Sequence, residues 1–129
     1  MKILIVDDNP ANVKLLSRFL EKWNYEVLSC NSGAEALTLY SEQQPDMVLM
    51  DIMMPGIDGF ETCKRLKANP ETQNIPVIFM TALLETDNKI KGFQLGAVDY
   101  ITKPFEIEEI LSRVKTHLNL LEFESEQSV

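Results

Sequence analysis

Ile3-Leu4-Ile5-Val6-Asp7-Asp8 sets four apolar residues in a row and then stops on two carboxylates. A run of that length, bounded by polar residues, reads as a strand covered on both faces, the form strands take in a parallel sheet. The pattern returns three times, as MVLMD at 47–51, VIFMTA at 77–82 and YITKP at 100–104. These later runs end in a third carboxylate, Asp51, a hydroxyl, Thr81, and an amine, Lys103. Ligands of open α/β sheets bind outside the carboxyl ends of the strands. The four strand ends therefore predict one shared site, with groups that suit a magnesium ion and a phosphoryl group.

The intervening segments read as helices. Asn9 and Pro10 supply an N-cap and a first-turn proline. Val13, Leu16, Phe19, Leu20 and Trp23 follow at helical spacing, so a buried face is expected up to Asn24. A more exposed strand is expected at 26–30, then a helix capped by Ser32 with Ala36, Leu37 and Tyr40 inward, ending before Pro45. Beyond strand three, Met53-Met54-Pro55-Gly56 breaks the chain, and Phe60, Cys63 and Leu66 mark the next helix, stopped by Asn69-Pro70. Pro76 opens strand four. A helix near 86–95 has only Ile90 and Phe93 as anchors, with Gly92 inside it, and is expected to be the least stable. Gly96 closes it, strand five spans 98–101, and a last helix runs from about 106 to 121. Its Glu106, Glu108 and Glu109 suit the positive end of the helix dipole. Five strands alternating with five helices make a doubly wound parallel α/β sheet. One domain is expected over 1–121, followed by a frayed acidic tail at 122–129.

Bulk properties narrow the function. The chain has 129 residues, 45% of them hydrophobic, which suits one core of an ordinary globular domain. No apolar stretch approaches the roughly 20 residues of a membrane span, and the amino terminus meets acid too early for a signal peptide. A cytoplasmic protein without membrane contact is expected. A formal net charge of −8 argues against direct nucleic-acid binding and favours drawing a cation to the acidic strand ends. Cys30 and Cys63 match no metal spacing and read as reduced core thiols. His117, the single histidine, is expected to face solvent in the last helix.

Asp7-Asp8, Asp51, Pro55-Gly56 with Asp58-Gly59, Thr81-Ala82, Tyr100 and Lys103-Pro104 occur in the order found in one family. Over residues 1 to about 121 the chain resembles the receiver (response regulator) domains of two-component signalling, chemotaxis regulators included. The resemblance implies a flavodoxin-like strand order, 2-1-3-4-5. It makes Asp51 the phosphoacceptor nucleophile, loaded from a phosphohistidine on a sensor histidine kinase or phosphotransfer protein. It places Mg2+ directly on Asp8, Asp51 and the backbone carbonyl of Met53, with Asp7 acting through water. The Thr81 hydroxyl, the Ala82 amide and Lys103 would hold the phosphoryl group, and Thr81 and Tyr100 would switch. The signal would leave by the face of the fourth helix, fifth strand and fifth helix, toward a downstream effector domain or protein. A cis Lys103–Pro104 peptide is implied as well. Such a domain is no enzyme in the turnover sense, since it catalyses only its own phosphorylation and dephosphorylation.

The chemistry stands beside the resemblance. A carboxylate can attack phosphorus and form an acyl phosphate. A small hard cation prefers carboxylates and water. Three carboxylates are balanced by Mg2+ and Lys103, and without metal one carboxylate tends to take up a proton. Phosphoryl transfer needs little beyond such positioning and charge stabilisation.

Blander alternatives remain for each residue. Asp7 and Asp8 could cap a helix, Thr81 could end a strand, and Tyr100 could fill the core. For the whole chain the alternatives are a phosphorylation-independent pseudo-receiver scaffold and a phosphatase of the haloacid dehalogenase type. The latter needs an aspartate where Met53 stands. A flavodoxin would need a phosphate loop after strand one. Met53 and Leu83 occupy places that are polar in chemotaxis relatives and there orient the hydrolytic water, so a long phosphoryl lifetime is expected. Lys89, Asp99, Glu109 and Arg113 resemble positions that pair across a phosphorylation-dependent homodimer, although Val98 is apolar where that pattern is acidic. Ile107, Leu111, Val114, Leu118 and Leu121 keep a four-three spacing, the first of them expected against the sheet and Leu118 and Leu121 expected to project past it, as a signalling helix or against a partner.

Overall fold

The computed structural model describes residues 1–81, 91, 93–103 and 106–127. Its strands are β1 (Lys2–Val6), β2 (Glu26–Cys30), β3 (Met47–Asp51), β4 (Val77–Thr81) and β5 (Asp99–Thr102). They form one sheet in the order β2-β1-β3-β4-β5, every neighbouring pair parallel. This is the expected 2-1-3-4-5 topology. Helices α1 (Pro10–Lys22), α2 (Gly33–Gln43) and α3 (Gly59–Ala68) and a C-terminal helix (Ile107–Gln127) complete it, four helices among the described residues. Of the segment predicted as a helix near 86–95, Lys91, Phe93 and Gln94 are helical, and the Leu95 N–H donates to the Lys91 carbonyl at 3.1 Å. The rest of it lies outside the described residues.

The unbroken apolar runs are explained by cover on both faces. Ile3, Ile5, Leu49, Ile78 and Ile101 pack with Leu16 and Leu20 of α1 and with Ile110, Val114 and Leu118 of the C-terminal helix. Leu4, Val6, Val48, Met50, Phe79 and Tyr100 point the other way, against Ala36, Phe60, Cys63 and Leu66 of α2 and α3. Alternate residues of each strand thus serve opposite layers.

Local signals account for the helix ends. Asn9 Oδ1 accepts the N–H groups of Ala11 and Asn12 at 3.0 and 3.4 Å, with Pro10 in the first turn. Ser32 and Asp58 cap α2 and α3 through the Glu35 and Glu61 N–H groups, at 3.2 and 2.8 Å. Asn24 and Gln44, at φ 70° and 48°, turn the chain out of α1 and α2.

Five expectations shift. Trp23 is the C-cap of α1 and 47% exposed, not inward, and Lys115 Nζ stands 4.3 Å from its ring centroid. β5 begins at Asp99, so Val98 precedes the strand. The C-terminal helix continues to Gln127. Its sheet-facing row is Ile110, Val114 and Leu118, so Leu118 packs in the core and does not project past the sheet, while Ile107 is 45% exposed. In the first turn of a helix the four-three spacing alone cannot tell cover from solvent.

Candidate functional site

The ends of β1, β3 and β5 converge. Asp7 and Asp8 follow β1, Asp51 is the last residue of β3, and Lys103 follows β5. Carboxylate oxygens of Asp7, Asp8 and Asp51 all lie within 4.8 Å of one another, Asp7 and Asp51 buried and Asp8 exposed. Lys103 Nζ donates to Asp7 Oδ2 at 3.2 Å and pairs with Asp51 Oδ1 at 3.4 Å, so one ammonium spans two carboxylates. Asp7 is held further by the Asn9 N–H on Oδ1 at 2.9 Å and by the Asn12 side-chain amide on Oδ2 at 3.4 Å. The Asp7 N–H donates to the Cys30 carbonyl at 3.2 Å, which fixes the backbone where β1 ends. The Ile52 N–H donates to the Met80 carbonyl at 3.3 Å, doing the same for Asp51.

The electrostatics follow from burial. Among the described residues, three carboxylates face one ammonium, leaving an excess of negative charge. Burial, and then the charge of Asp7, push the Asp51 carboxyl up to about 6, although Lys103 pulls the other way. A cluster of hard oxygen donors with surplus negative charge fits a small divalent cation.

Comparison with known proteins decides what this arrangement belongs to. Residues 3–115 match the family described as the response regulator receiver domain. The chain belongs to that family. The receiver is 44% identical over 117 residues to the DNA-binding dual master transcriptional regulator RpaA of Synechocystis sp., covering 91% of this chain and 48% of that protein. It therefore spans about half the length of that relative. It is 40% identical over 117 residues to Protein PilH of Pseudomonas aeruginosa, covering 91% of this chain and 97% of PilH. Among solved structures, the BeF3-activated N-terminal receiver domain of Klebsiella pneumoniae RstA superposes with a TM-score of 0.85 at 33% identity, covering 92% of this chain and 98% of that one. The family places the domain in two-component signalling, with a phosphoacceptor role and a metal-binding acidic pocket.

Tyr100 is buried, its ring 5.2 Å edge-on from Phe93 and 5.9 Å from Phe79. Met53 is open, its side chain in solvent at 68% exposure. Thr81 ends β4 opposite Thr102. The roles expected of the Thr81 side chain, Ala82, Leu83, Lys89 and the Lys103–Pro104 bond fall outside the described part of the chain.

His117 corrects an expectation. Its Nε2 lies 3.0 Å from Asp99 Oδ2 and its side chain is only 15% exposed, so it faces β5 and not solvent. Arg113 bonds the other Asp99 oxygen and also Glu109 Oε1, the latter at 3.1 Å. Histidine on a helix is half apolar, and spacing alone cannot tell a sheet-facing one from a solvated one.

Sequence reasoning missed Asn12, a plain helix residue by pattern, and the full use of Gly59. The Gly59 N–H donates to the Ile52 carbonyl at 2.8 Å. A Cβ there would lie 2.3 Å from the Asp51 carbonyl oxygen. The Asp-Gly pair at 58–59 was the available signal, since a glycine just inside a helix costs about 1 kcal/mol and needs a reason. Both cysteines are free and buried, as expected, and burial pushes the Cys30 thiol up to about 11, leaving it protonated and unreactive.

A raised carboxyl has a testable consequence. Asp51 holds a proton more firmly in the fold than in the open chain, where its ordinary value is 3.8. The folded state then binds more protons between those two values, so stability falls as pH rises through about 6. In chelator-treated protein, urea midpoints should be higher at pH 5 than at pH 7. In Asp51→Asn that difference should shrink, and an unchanged difference would assign the proton elsewhere.

Proposed function

We propose that Asp51 accepts a phosphoryl group from a phosphohistidine on a sensor histidine kinase or phosphotransfer protein, and that the loaded domain signals to an effector domain or protein. The observation that carries this is Lys103 held between Asp7 and Asp51 beside the open carboxylate of Asp8. An Asp51 oxygen attacks phosphorus, the P–N bond to the donor imidazole breaks, and its electron pair returns to the ring. At neutral pH a carboxyl near 6 is mostly ionised and can act as the nucleophile. Lys103 then faces the new charge, with the Thr81 hydroxyl and the Ala82 amide as further donors. Bound Mg2+ would offset the charge of the phosphoryl oxygens. Water attack later returns Asp51 and inorganic phosphate; the apolar, exposed Met53 cannot orient that water, which favours slow loss.

Asp8, Asp51 and the Met53 carbonyl are proposed as direct magnesium ligands, with Asp7 acting through water. Hydrogen bonding supports the distinction. Both oxygens of Asp7 already accept from Asn9, Asn12 and Lys103, and its side chain is fully buried, whereas Asp8 is exposed. Asp8→Ala should therefore weaken magnesium binding, measured by calorimetry, more than Asp7→Ala does. Equal losses, or a larger loss for Asp7→Ala, would overturn this order.

Switching is assigned to Thr81 and Tyr100, moving the face made by the 86–95 segment, β5 and the C-terminal helix. Tyr100 supports this by touching Phe93 on that face. The receiver unit is taken as 1–121, with 122–129 a tail. No helix among the described residues is long and apolar enough to cross a membrane, and a cytoplasmic site of action is the matching proposal. A phosphorylation-dependent homodimer would have to open an occupied network, because Asp99, Glu109 and Arg113 already pair within one chain. Analytical ultracentrifugation with and without beryllofluoride tests it: a dimer lost on Arg113→Glu supports that face, and a monomer in both states sinks it.

A further inference from the structure

Phe60, Cys63 and Lys67 follow one another along α3 at steps of three and four, so they share one stripe of the helix. All three meet the short segment ahead of β5. Lys91 Nζ stands 4.8 Å from the Phe60 ring centroid. The Cys63 thiol donates to the Leu95 carbonyl at 3.6 Å. The Lys67 stem runs beside Gly96, where an added Cβ would lie 3.1 Å from its Cε. The Lys67 amine then ends on the carbonyls of Gln73 and Ile75, at 3.1 and 2.6 Å, so the stem is tied at its far end. Gly96 sits at φ +100°, a conformation other residues rarely adopt, and the turn is pinned there.

The other end of α3 stands on the phosphoacceptor backbone, with no room between Gly59 and the Asp51 carbonyl. Just ahead of that turn, Phe93 reaches Tyr100. One helix therefore joins the end of β3 to the turn before β5.

We propose that α3 is a clamp that sets the position of the Leu95–Gly96 turn from the end of β3, through Phe60, Cys63 and Lys67, by a route separate from Thr81. Only its driver rests on the proposed function, because a phosphoryl group on Asp51 is what would displace it. A displacement of the β3 end cannot be absorbed at Gly59, so α3 passes it along its length to the turn. A double-mutant cycle measures the coupling.

The test uses the 129-residue chain and amide hydrogen exchange read by NMR. The reporters are the Leu95 and Gly96 N–H groups, which donate to Lys91 and Phe93 carbonyls at 3.1 and 3.0 Å, with Val114 as reference. Lys67→Met keeps the stem and removes the amine, Cys63→Ala removes the thiol donor, and Cys63→Ser keeps a donor. Without phosphodonor, Lys67→Met and Cys63→Ala should speed exchange at Leu95 and Gly96 by about fivefold, the size of one lost hydrogen bond. Val114 should not change, and Cys63→Ser should restore the slow rate.

With magnesium and acetyl phosphate, the change that loading causes at Leu95 and Gly96 should shrink by about half in Lys67→Met, at equal phosphoryl mass. It should vanish only when Thr81→Ala is added. An equal rise at Val114 would mark ordinary core packing and overturn the clamp, as would unchanged rates at Leu95 and Gly96, or a loading response that Thr81→Ala alone abolishes. If the parent chain takes up no phosphoryl group, the phosphoacceptor proposal fails, and the exchange rates of the unloaded variants still decide the clamp.

Discussion

Asp51→Asn should take up no phosphoryl group when incubated with magnesium and acetyl phosphate, while the parent chain gains one phosphoryl mass. Asparagine matches the aspartate in shape, so the sheet end and its contacts should survive. It removes the anionic oxygen that attacks phosphorus, and an amide oxygen is far too weak a nucleophile to replace it. It also removes one of three crowded charges, so the metal-free variant should be more stable than the parent at pH 7, where Asp51 is ionised despite its burial. The two readouts separate loss of chemistry from loss of fold: unfolding by urea gives the stability, and intact mass gives the loading. A variant that is phosphorylated as readily as the parent places the acceptor elsewhere, with the exposed Asp8 the next carboxylate to replace.

Gly59→Ala should lower stability by about 2–4 kcal/mol and reduce phosphoryl uptake as well. In an open helix position the same change would stabilise by about 1 kcal/mol, because alanine is the better helix former. The sign is therefore diagnostic. Here the new methyl group meets the Asp51 carbonyl oxygen at 2.3 Å and the Ile52 Cα at 2.9 Å, both backbone atoms in a buried strand end. No flexible side chain can give way. α3 must retreat, weakening the Gly59 N–H bond to Ile52 and shifting the backbone that carries the acceptor. Urea denaturation and acetyl phosphate loading check the two effects. An increase in stability would show that α3 is seated more loosely than these distances require.

Most of the fold could be read from the chain because its signals are local and agree with one another. Asn9 with Pro10, Ser32, and Asn69 with Pro70 mark helix ends through single hydrogen bonds or missing ones. The four apolar runs mark strands whose faces are both covered. The strand order came from the family likeness, since no pattern of hydrophobicity tells which strands are neighbours. The acidic cluster was legible for the same topological reason: parallel strands deliver their carboxyl ends to one edge, so Asp7, Asp8, Asp51 and Lys103 had to meet.

What was hidden depends on distances between elements. Trp23 keeps helical spacing with Leu16 and Leu20, yet lies where α1 ends and the sheet no longer covers it. His117 looks solvated until β5 brings Asp99 against it. Asn12 gives no sign of its contact, because its partner Asp7 sits in a loop whose course is set by the Cys30 carbonyl on another strand.

Trp23 is the chain's single tryptophan, and the Lys115 ammonium over its ring comes from the C-terminal helix. A half-exposed indole beside a positive charge has an emission colour and intensity that depend on that charge staying in place. The protein thus contains its own optical gauge of how the C-terminal helix rests on α1, and no dye has to be attached. Ordinary fluorescence at one wavelength can follow that docking in real time, during loading, during metal exchange, or when a partner takes hold of the helix. Lys115→Met supplies the blank against which such a trace is read.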